Sequence, residues 1–365
     1  MHVLWNNHRD VRHPSAGGAE RTIHEVGRRL VKRGHEVTVL TSRWKGGCPV
    51  EMIDGIRIVR FPGKLSPHFA LPAVASEAGT ESVVVDDLAH VVPWFSPFLT
   101  PHPGTVFFRH LHARTLEGQV SPSMARLLVA IERQYGRLYR HWPFVAESKS
   151  SLEDLVTLGV SRERIVRIPP GVNTSVFSPR EKTSLPSIVY FGGFREYKRP
   201  HHAILVHRAL LRRGVKNKLT MIGSGPSLSA TRDAVTGFGL QASVEFTGKV
   251  STDVLSRLVG EAWVNIHCSL SEGWGYSILE ADACGTPTVA YSVRGVSEAV
   301  LHEQTGLLVP DGSIDALTDA VAQVLQEGTS YMGRRCVIHA KSFDWDTTAK
   351  SWESHLHGLR GAEVG

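Results

Sequence analysis

The chain has 365 residues, enough for two domains, and its 42% hydrophobic and 21% charged residues are an ordinary globular composition. No run approaches 18 uninterrupted apolar residues, which excludes an expected membrane-spanning helix. The four cysteines (Cys48, Cys268, Cys284, Cys336) are scattered without a C-x-x-C pair, which excludes a disulfide framework or zinc-finger site; they are expected to be buried thiols of a cytoplasmic protein.

The chain starts directly with a strand-like Val3-Leu4-Trp5, with no signal-peptide pattern. Ala19 to Arg33 carries Ile23, Val26 and Leu30 at helical spacing, with Gly34 as the stop. Strands are expected at 35–40, 56–61, 83–85 and 106–108. A long helix is expected over 123–139, then a strand at 144–146, a helix over 150–158 stopped by Gly159, and a strand at 165–168. The proline-rich stretch 169–187 has no periodicity and is expected to connect two domains. After it the pattern restarts: strands at 188–191, 219–222, 244–246, 264–266 and 288–290, with a helix over 201–213 and others between. Residues 345–359 close the chain as a helix. Strand–helix alternation in both halves implies two doubly wound parallel sheets, with ligands beyond the strand carboxyl ends and a cleft between the domains. The expected divisions are 1–180, 181–341 and a C-terminal segment 342–365.

The net charge of +6 is unevenly placed: residues 1–180 hold 23 Lys and Arg against 16 Asp and Glu. The first long helix carries Arg21, Arg28, Arg29, Lys32 and Arg33. A basic face of this kind fits anionic lipid headgroups, a phosphorylated acceptor or plain solvent. No nucleic-acid module accompanies it, so no nucleic-acid partner is expected.

The most informative stretch is Glu272 to Pro287, EGWGYSILEADACGTP. A glycine-flanked turn, Gly273-Trp274-Gly275, feeds a short helix expected to open with Ser277, Ile278 and Leu279 and to stop at Gly285 and Pro287. A helix N-terminus offers backbone N–H groups to an anion, and a carboxylate in the same turn accepts from sugar hydroxyls. Together they describe a pocket for a phosphate joined to a sugar. Ser277 and Glu280 are also spaced as a capping box, which needs no ligand. Gly223-Ser224-Gly225-Pro226 suggests a dinucleotide fingerprint, but Leu228 stands where its third glycine belongs, and there is no P-loop. His110 and His112 have metal-like spacing without a third ligand at motif distance, and Asp344-Trp345-Asp346 precedes a helix. No metal is expected.

The 272–287 stretch resembles the donor motif of family 4 retaining glycosyltransferases, which have the GT-B fold, with Trp274 in place of the usual Phe and Asp282 where Met is common. The resemblance implies that Glu272 contacts the donor sugar, that the turn and helix start from Gly273, Trp274, Gly275 and Tyr276 to Ser277 and Ile278 hold the diphosphate, and that Glu280 holds the ribose. Gly17-Gly18-Ala19-Glu20 is similar to the family's GGAE motif. Phe191 to Lys198 is similar to its G-R-L-x-x-x-K pattern, with Lys198 in register, Gly193 at the arginine position and Arg195 expected to supply the guanidinium. Gly248-Lys249-Val250 matches the loop at the nucleobase, Phe177 with Pro179 a structural segment, and Thr305 to Val309 a structural turn. The family places a histidine at a strand end near the reacting sugar; His110 is the first choice and His112 the second. The C-terminal helix is expected to cross back to the first domain.

The resemblance implies transfer, with retention, from a nucleotide-diphosphate sugar (UDP- or GDP-linked) to a hydroxyl of a lipid-linked, glycan or small-molecule acceptor. No other cofactor is required. The catalytic set is His110, Lys198, Glu272 and Arg195. A cytoplasmic enzyme is expected, in peripheral contact with the anionic inner face of the plasma membrane. The alternatives are a sugar-nucleotide epimerase of the same fold and a non-catalytic nucleotide-sugar-binding subunit.

Overall fold

The computed structural model of the chain describes residues 1–116 and 120–361. These residues form two compact units. The first spans 1–113, 120–171 and 345–361; the second spans 172–344, with 114–116 grouped into it.

The first unit begins β1 (His2–Asn6), α1 (Gly18–Lys32), β2 (Glu36–Arg43), β3 (Val50–Ile53), β4 (Ile56–Pro62), α2 (Ser66–Glu77) and β5 (Ser82–Leu88). It continues with β6 (Gly104–Phe108), α3 (Pro122–Glu132), α4 (Tyr135–Leu138), β7 (Phe144–Ala146), α5 (Lys149–Thr157) and β8 (Ile165–Arg167). The strand order is β3-β4-β2-β1-β5-β6-β7-β8. Every pairing is parallel except the antiparallel β3–β4 hairpin. A parallel sheet covered on both faces needs apolar residues on both sides of each strand. Accordingly Val83, Val84 and Val85 of β5 and Val106, Phe107 and Phe108 of β6 are all buried.

β3 and α2 are not among the expected elements. β3 is a short edge strand whose Val50 and Met52 are exposed, so it carries no burial pattern. α2 holds Pro67 in its first turn and Pro72 inside it. The helix expected over 123–139 is instead interrupted at Arg133–Gln134. Glu132, at the break, is buried, and its carboxylate accepts from the amides of His112 at 2.7 Å and Ala113 at 3.0 Å.

The second unit comprises β9 (Ser187–Phe191), α6 (Pro200–Arg212), β10 (Lys218–Ile222), α7 (Leu228–Gly237), β11 (Val244–Gly248), α8 (Thr252–Glu261) and β12 (Val264–His267). It ends with α9 (Tyr276–Ala283), β13 (Thr288–Tyr291), α10 (Val296–Ala299), β14 (Gly306–Val309), α11 (Ile314–Glu327) and α12 (Ser330–Lys341). Its strand order is β11-β10-β9-β12-β13-β14, all parallel. Residues 306–309, expected as a turn, form β14 and pair with β13. Val172 and Phe177, from the expected connecting stretch, are buried with Val189, Phe191 and Trp274. Along the chain, the last change from the first unit to the second before β9 falls between Gly171 and Val172.

The last helix, α13 (Trp345–Gly361), belongs to the first unit. Its Ala349, Trp352 and Leu356 are fully buried. Trp352 meets the rings of Trp5 at 4.9 Å and Phe107 at 4.8 Å. The basic face of α1 is largely answered within this unit: Arg28 and Arg29 pair with Glu25, Arg29 also with Asp346 at 2.8 Å, and Arg33 with Glu353 at 3.1 Å. Among the described residues no helix is long and apolar enough to cross a membrane. Cys268, Cys284 and Cys336 are buried, whereas Cys48 is exposed, contrary to expectation, because it lies in the loop before β3.

Candidate active site

In an open parallel sheet, ligands gather at the carboxyl ends of the strands where the strand order reverses. In the second unit that point lies between β9 and β12, which are hydrogen-bonded neighbours. The loops leaving these two strands carry Lys198 and Glu272, and they bring the two side chains together across 74 positions of sequence. Lys198 Nζ donates to Glu272 Oε1 in an ion pair. Ser269 Oγ donates to the same oxygen at 2.7 Å, and His267 Nε2 lies 3.3 Å from it.

The pair is held charged. Burial acts to raise the Glu272 carboxyl, but Lys198 and His267 outweigh it and keep it well below the usual carboxylate range. Burial acts to lower Lys198, and Glu272 with Tyr197 overcomes it and raises the ammonium above its ordinary value, with Arg195 opposing. The result is a fixed cation and a fixed anion side by side, both partly open to solvent.

The loop geometry explains why these residues sit here. Lys198 ends a single 3-10 turn, Glu196–Lys198, and Arg199 follows in the left-handed region at φ 47°. That conformation is unfavourable for a residue with a side chain. It is compensated by the guanidinium, which donates to the carbonyls of Cys268 at 2.7 Å and Ser269 at 3.0 Å and to Asp311 at 2.5 Å. Arg199 thus ties the loop after β9 to the loop after β12. The amide of Leu270 adds a bond to Tyr197 O at 2.8 Å. Gly295 backs the Glu272 backbone so closely that a Cβ there would stand 2.2 Å from Glu272 O.

The expected donor turn leads into α9, but the helix opens one residue earlier than expected, at Tyr276, with Gly275 as its cap at φ 90°. The Ser277–Glu280 capping box is therefore not formed. Ser277 Oγ lies 3.2 Å from His267 Nδ1 instead. Glu280 is buried on the helix. The amide of Ile278 donates to Gly275 O at 2.9 Å, so that donor is engaged in the cap. Trp274 is buried at 3% exposure and packs edge-on against Phe343 at 5.2 Å.

Three neighbouring loops interlock at the same edge of the sheet. Gly192 N donates to Ile222 O at 3.0 Å, Phe194 N to Ser224 O at 3.0 Å, and Gly223 N to Gly248 O at 2.8 Å. A Cβ on Gly223 would fall 2.0 Å from Gly192 O, so close loop packing accounts for this glycine without a dinucleotide fingerprint. Gly248 caps β11 at φ 69°, Lys249 is exposed and Val250 packs partly into the core. At Gly193, the Arg195 side chain lies 3.9 Å from where a Cβ would stand. The guanidinium chain of Arg195 thus runs alongside the position at which the family pattern has arginine.

The first unit holds the remaining expected residues. Gly17 is the N-cap of α1, and its amide donates to the Glu20 carboxylate at 2.6 Å; Gly18 is the first helical residue. His110 is partly exposed past the end of β6, with its ring 5.0 Å from that of His112. His112 is the more constrained of the two, buried with Nδ1 at 3.1 Å from Glu132.

Sequence reasoning did not single out Arg109, His267, Ser269 or Arg199. Arg109 is buried between Asp87 at 2.6 Å and Glu147, donates to Ala19 O at 3.2 Å and covers the Phe107 ring at 3.7 Å. It joins the ends of β5, β6 and β7 to the start of α1. An Arg immediately after the apolar run Val106-Phe107-Phe108 was the available signal. His267 and Ser269 had none, since their role depends on Glu272 folding back over them.

The chain matches the family "Glycosyltransferase Family 4" over residues 16–176 and "Glycosyl transferases group 1" over residues 173–342. It belongs to glycosyltransferase family 4. This transferase is 27% identical over 369 residues to a GDP-mannose-dependent alpha-(1-6)-phosphatidylinositol monomannoside mannosyltransferase of Mycobacterium tuberculosis, covering 93% of both chains. It is 28% identical over 396 residues to a D-inositol 3-phosphate glycosyltransferase of Kineococcus radiotolerans, covering 92% of this chain and 89% of the other. In structure it is similar to sucrose-phosphate synthase from Thermosynechococcus elongatus, with a TM-score of 0.84 at 21% identity over 99% of this chain and 100% of the other. The transferase has the GT-B fold and uses a nucleotide-diphosphate sugar as donor.

Proposed function

We propose that this transferase moves a sugar, with retention of configuration, from a nucleotide-diphosphate sugar to a hydroxyl of a phosphorylated, inositol-type acceptor. The observation that carries the donor half is the Lys198–Glu272 pair at the strand-order reversal, beside the start of α9. When the diphosphate leaves, negative charge grows on its oxygens while positive charge grows on the sugar. Lys198 stabilises the first, with Arg195 as the second cation and the first turn of α9 as an oriented dipole. Glu272, ionised at every working pH, accepts from the sugar hydroxyls and orients the ring. Glu280 holds the ribose. The backbones of Gly273, Trp274, Gly275 and Tyr276 line the diphosphate turn, and Gly248, Lys249 and Val250 border the base. In the first unit, His110 past the end of β6 and Gly17 and Gly18 at the start of α1 are the candidate acceptor-side residues. Steps through a metal ion form no part of this scheme.

The acceptor half is supported by the two relatives, whose names both specify an inositol phosphate or its lipid, and by the excess of Lys and Arg in residues 1–180. An enzyme working in the cytoplasm on a lipid-linked acceptor would dock peripherally at the inner face of the plasma membrane.

A thermal-shift screen with GDP, UDP, ADP and NAD tests the donor. A ligand at about 100 times its Kd adds about 2.7 kcal/mol, which is on the order of 5–10 °C in Tm for units of this size. A shift with one nucleoside diphosphate names the base, and a shift with NAD alone overturns the scheme. Transfer from the matching sugar nucleotide to inositol phosphate, against uncharged inositol, then tests the acceptor; equal transfer to both would remove the phosphate from the proposal.

A further inference from the structure

The clearest cluster outside the donor machinery lies in the first unit, where α13 packs on α1 beside the turn that leads to β2. Glu353 and His357 are one helical turn apart on α13, at the margin of the buried stripe Ala349-Trp352-Leu356. A spacing of four residues puts both side chains on one helix face. His35 faces them from the turn between α1 and β2, where Gly34 at φ 88° reverses the chain and the His35 amide is bonded to Leu30 O at 3.1 Å. One ligand atom from each of the three lies within 4.8 Å of the other two. His35 Nε2 is 2.8 Å from Glu353 Oε1, and the His35 and His357 rings are 5.4 Å apart.

We propose that His35, Glu353 and His357 form a transition-metal site, best suited to zinc, that fastens α13 to the turn between α1 and β2. The donor set is the argument. Two imidazoles and one carboxylate favour zinc and its neighbours over magnesium or calcium, which take oxygen shells. The ion takes the place of the proton now shared between His35 and Glu353. Arg33 donates to the other Glu353 oxygen at 3.1 Å, so the carboxylate keeps an outer hydrogen bond when Oε1 turns to a metal, as ligating carboxylates generally do. The imidazole of His35 is nine-tenths buried, and its Nδ1 has no hydrogen-bond partner among the described residues. His357 is exposed, which gives the ion an entry path and leaves a coordination position to water. Fixed elements on both sides, a packed helix and a tight turn, hold the ligands near one another before any ion arrives.

The test uses the full, tag-free chain, stripped with EDTA and dialysed. Zinc chloride titration should show one equivalent bound at micromolar Kd or tighter, with a rise in Tm that magnesium chloride does not reproduce. His357→Ala, at an exposed position, should fold like the parent and lose tenfold or more in zinc affinity, and Glu353→Gln should do the same. Cobalt(II) substitution should give visible absorption without a sulfur charge-transfer band, which separates this site from the exposed Cys48. No retained zinc, unchanged affinity in His357→Ala, an equal response to magnesium or a sulfur band would each overturn the proposal.

Discussion

Lys198→Ala is the perturbation that tests the donor site most directly. It removes one preorganised cation from the leaving diphosphate, and losing a single donor of this kind lowers turnover by about 10²–10³-fold, or roughly 3–4 kcal/mol. It also leaves Glu272 without its strongest charge partner in a site only 13% exposed, with Ser269 and His267 still in place. An unmatched, mostly buried acceptor costs about 1–3 kcal/mol, or on the order of 2–10 °C in the Tm of a unit of this size. The two effects separate in the assay. Product formation under single turnover reads the first, and thermal melting with nucleoside diphosphate titration reads the second. The pH response gives a further check. Glu272 has a depressed folded value, so its contribution is present above its ordinary pKa of 4.5 and fades as pH falls below that. Lys198 has a raised folded value, so its contribution is present below 10.5 and fades only above that. Donor affinity in the parent should therefore be flat between about pH 5 and 9, whereas in Lys198→Ala it should vary with pH at the acidic end as the Glu272 carboxyl rises. Turnover within threefold of the parent, with normal melting, would remove Lys198 from the mechanism.

Three further outcomes are expected. Glu280→Ala should weaken nucleoside diphosphate binding by calorimetry about tenfold; unchanged affinity would leave Glu280 without a ribose role, and since the Ser277–Glu280 capping box is not formed, helix capping could not take its place. Arg195→Ala should lower turnover about tenfold because its chain lies beside the vacant arginine position at Gly193; a silent substitution would leave Lys198 as the only side-chain cation in the scheme. Trp352→Ala removes a fully buried ring packed on Trp5 and Phe107 and should cost about 3–5 kcal/mol, visible as a Tm loss on the order of 10 °C; a loss under 2 °C would show that α13 does not stabilise the first unit.

Much of this architecture was legible in the chain itself. Strands buried on both faces must be apolar on both faces, so β1, β5, β6 and β9 stand out by their runs of apolar residues. The donor motif was equally plain, because a glycine turn, a helix start and two glutamates lie within nine consecutive residues. What escaped was whatever lacked a local pattern. β3 is an exposed edge, α2 contains two prolines, and the break between α3 and α4 coincides with Glu132 turning to amides twenty residues away. β14 is four residues long and becomes a strand only by pairing with β13.

The alternation of strand and helix and the residue types at the donor site follow from periodicity and chemistry within short windows, and so they can be read along the chain. The partnerships, by contrast, arise from the folded arrangement. Lys198 and Glu272 are distant in sequence and meet because β9 and β12 are neighbours where the strand order reverses. Arg199 accepts a left-handed backbone because its guanidinium finds carbonyls in the next loop. Trp274 turns inward because Phe343 is there to receive it. Each of these is an interaction between remote segments, and its energy exists only after the sheet has set the distance.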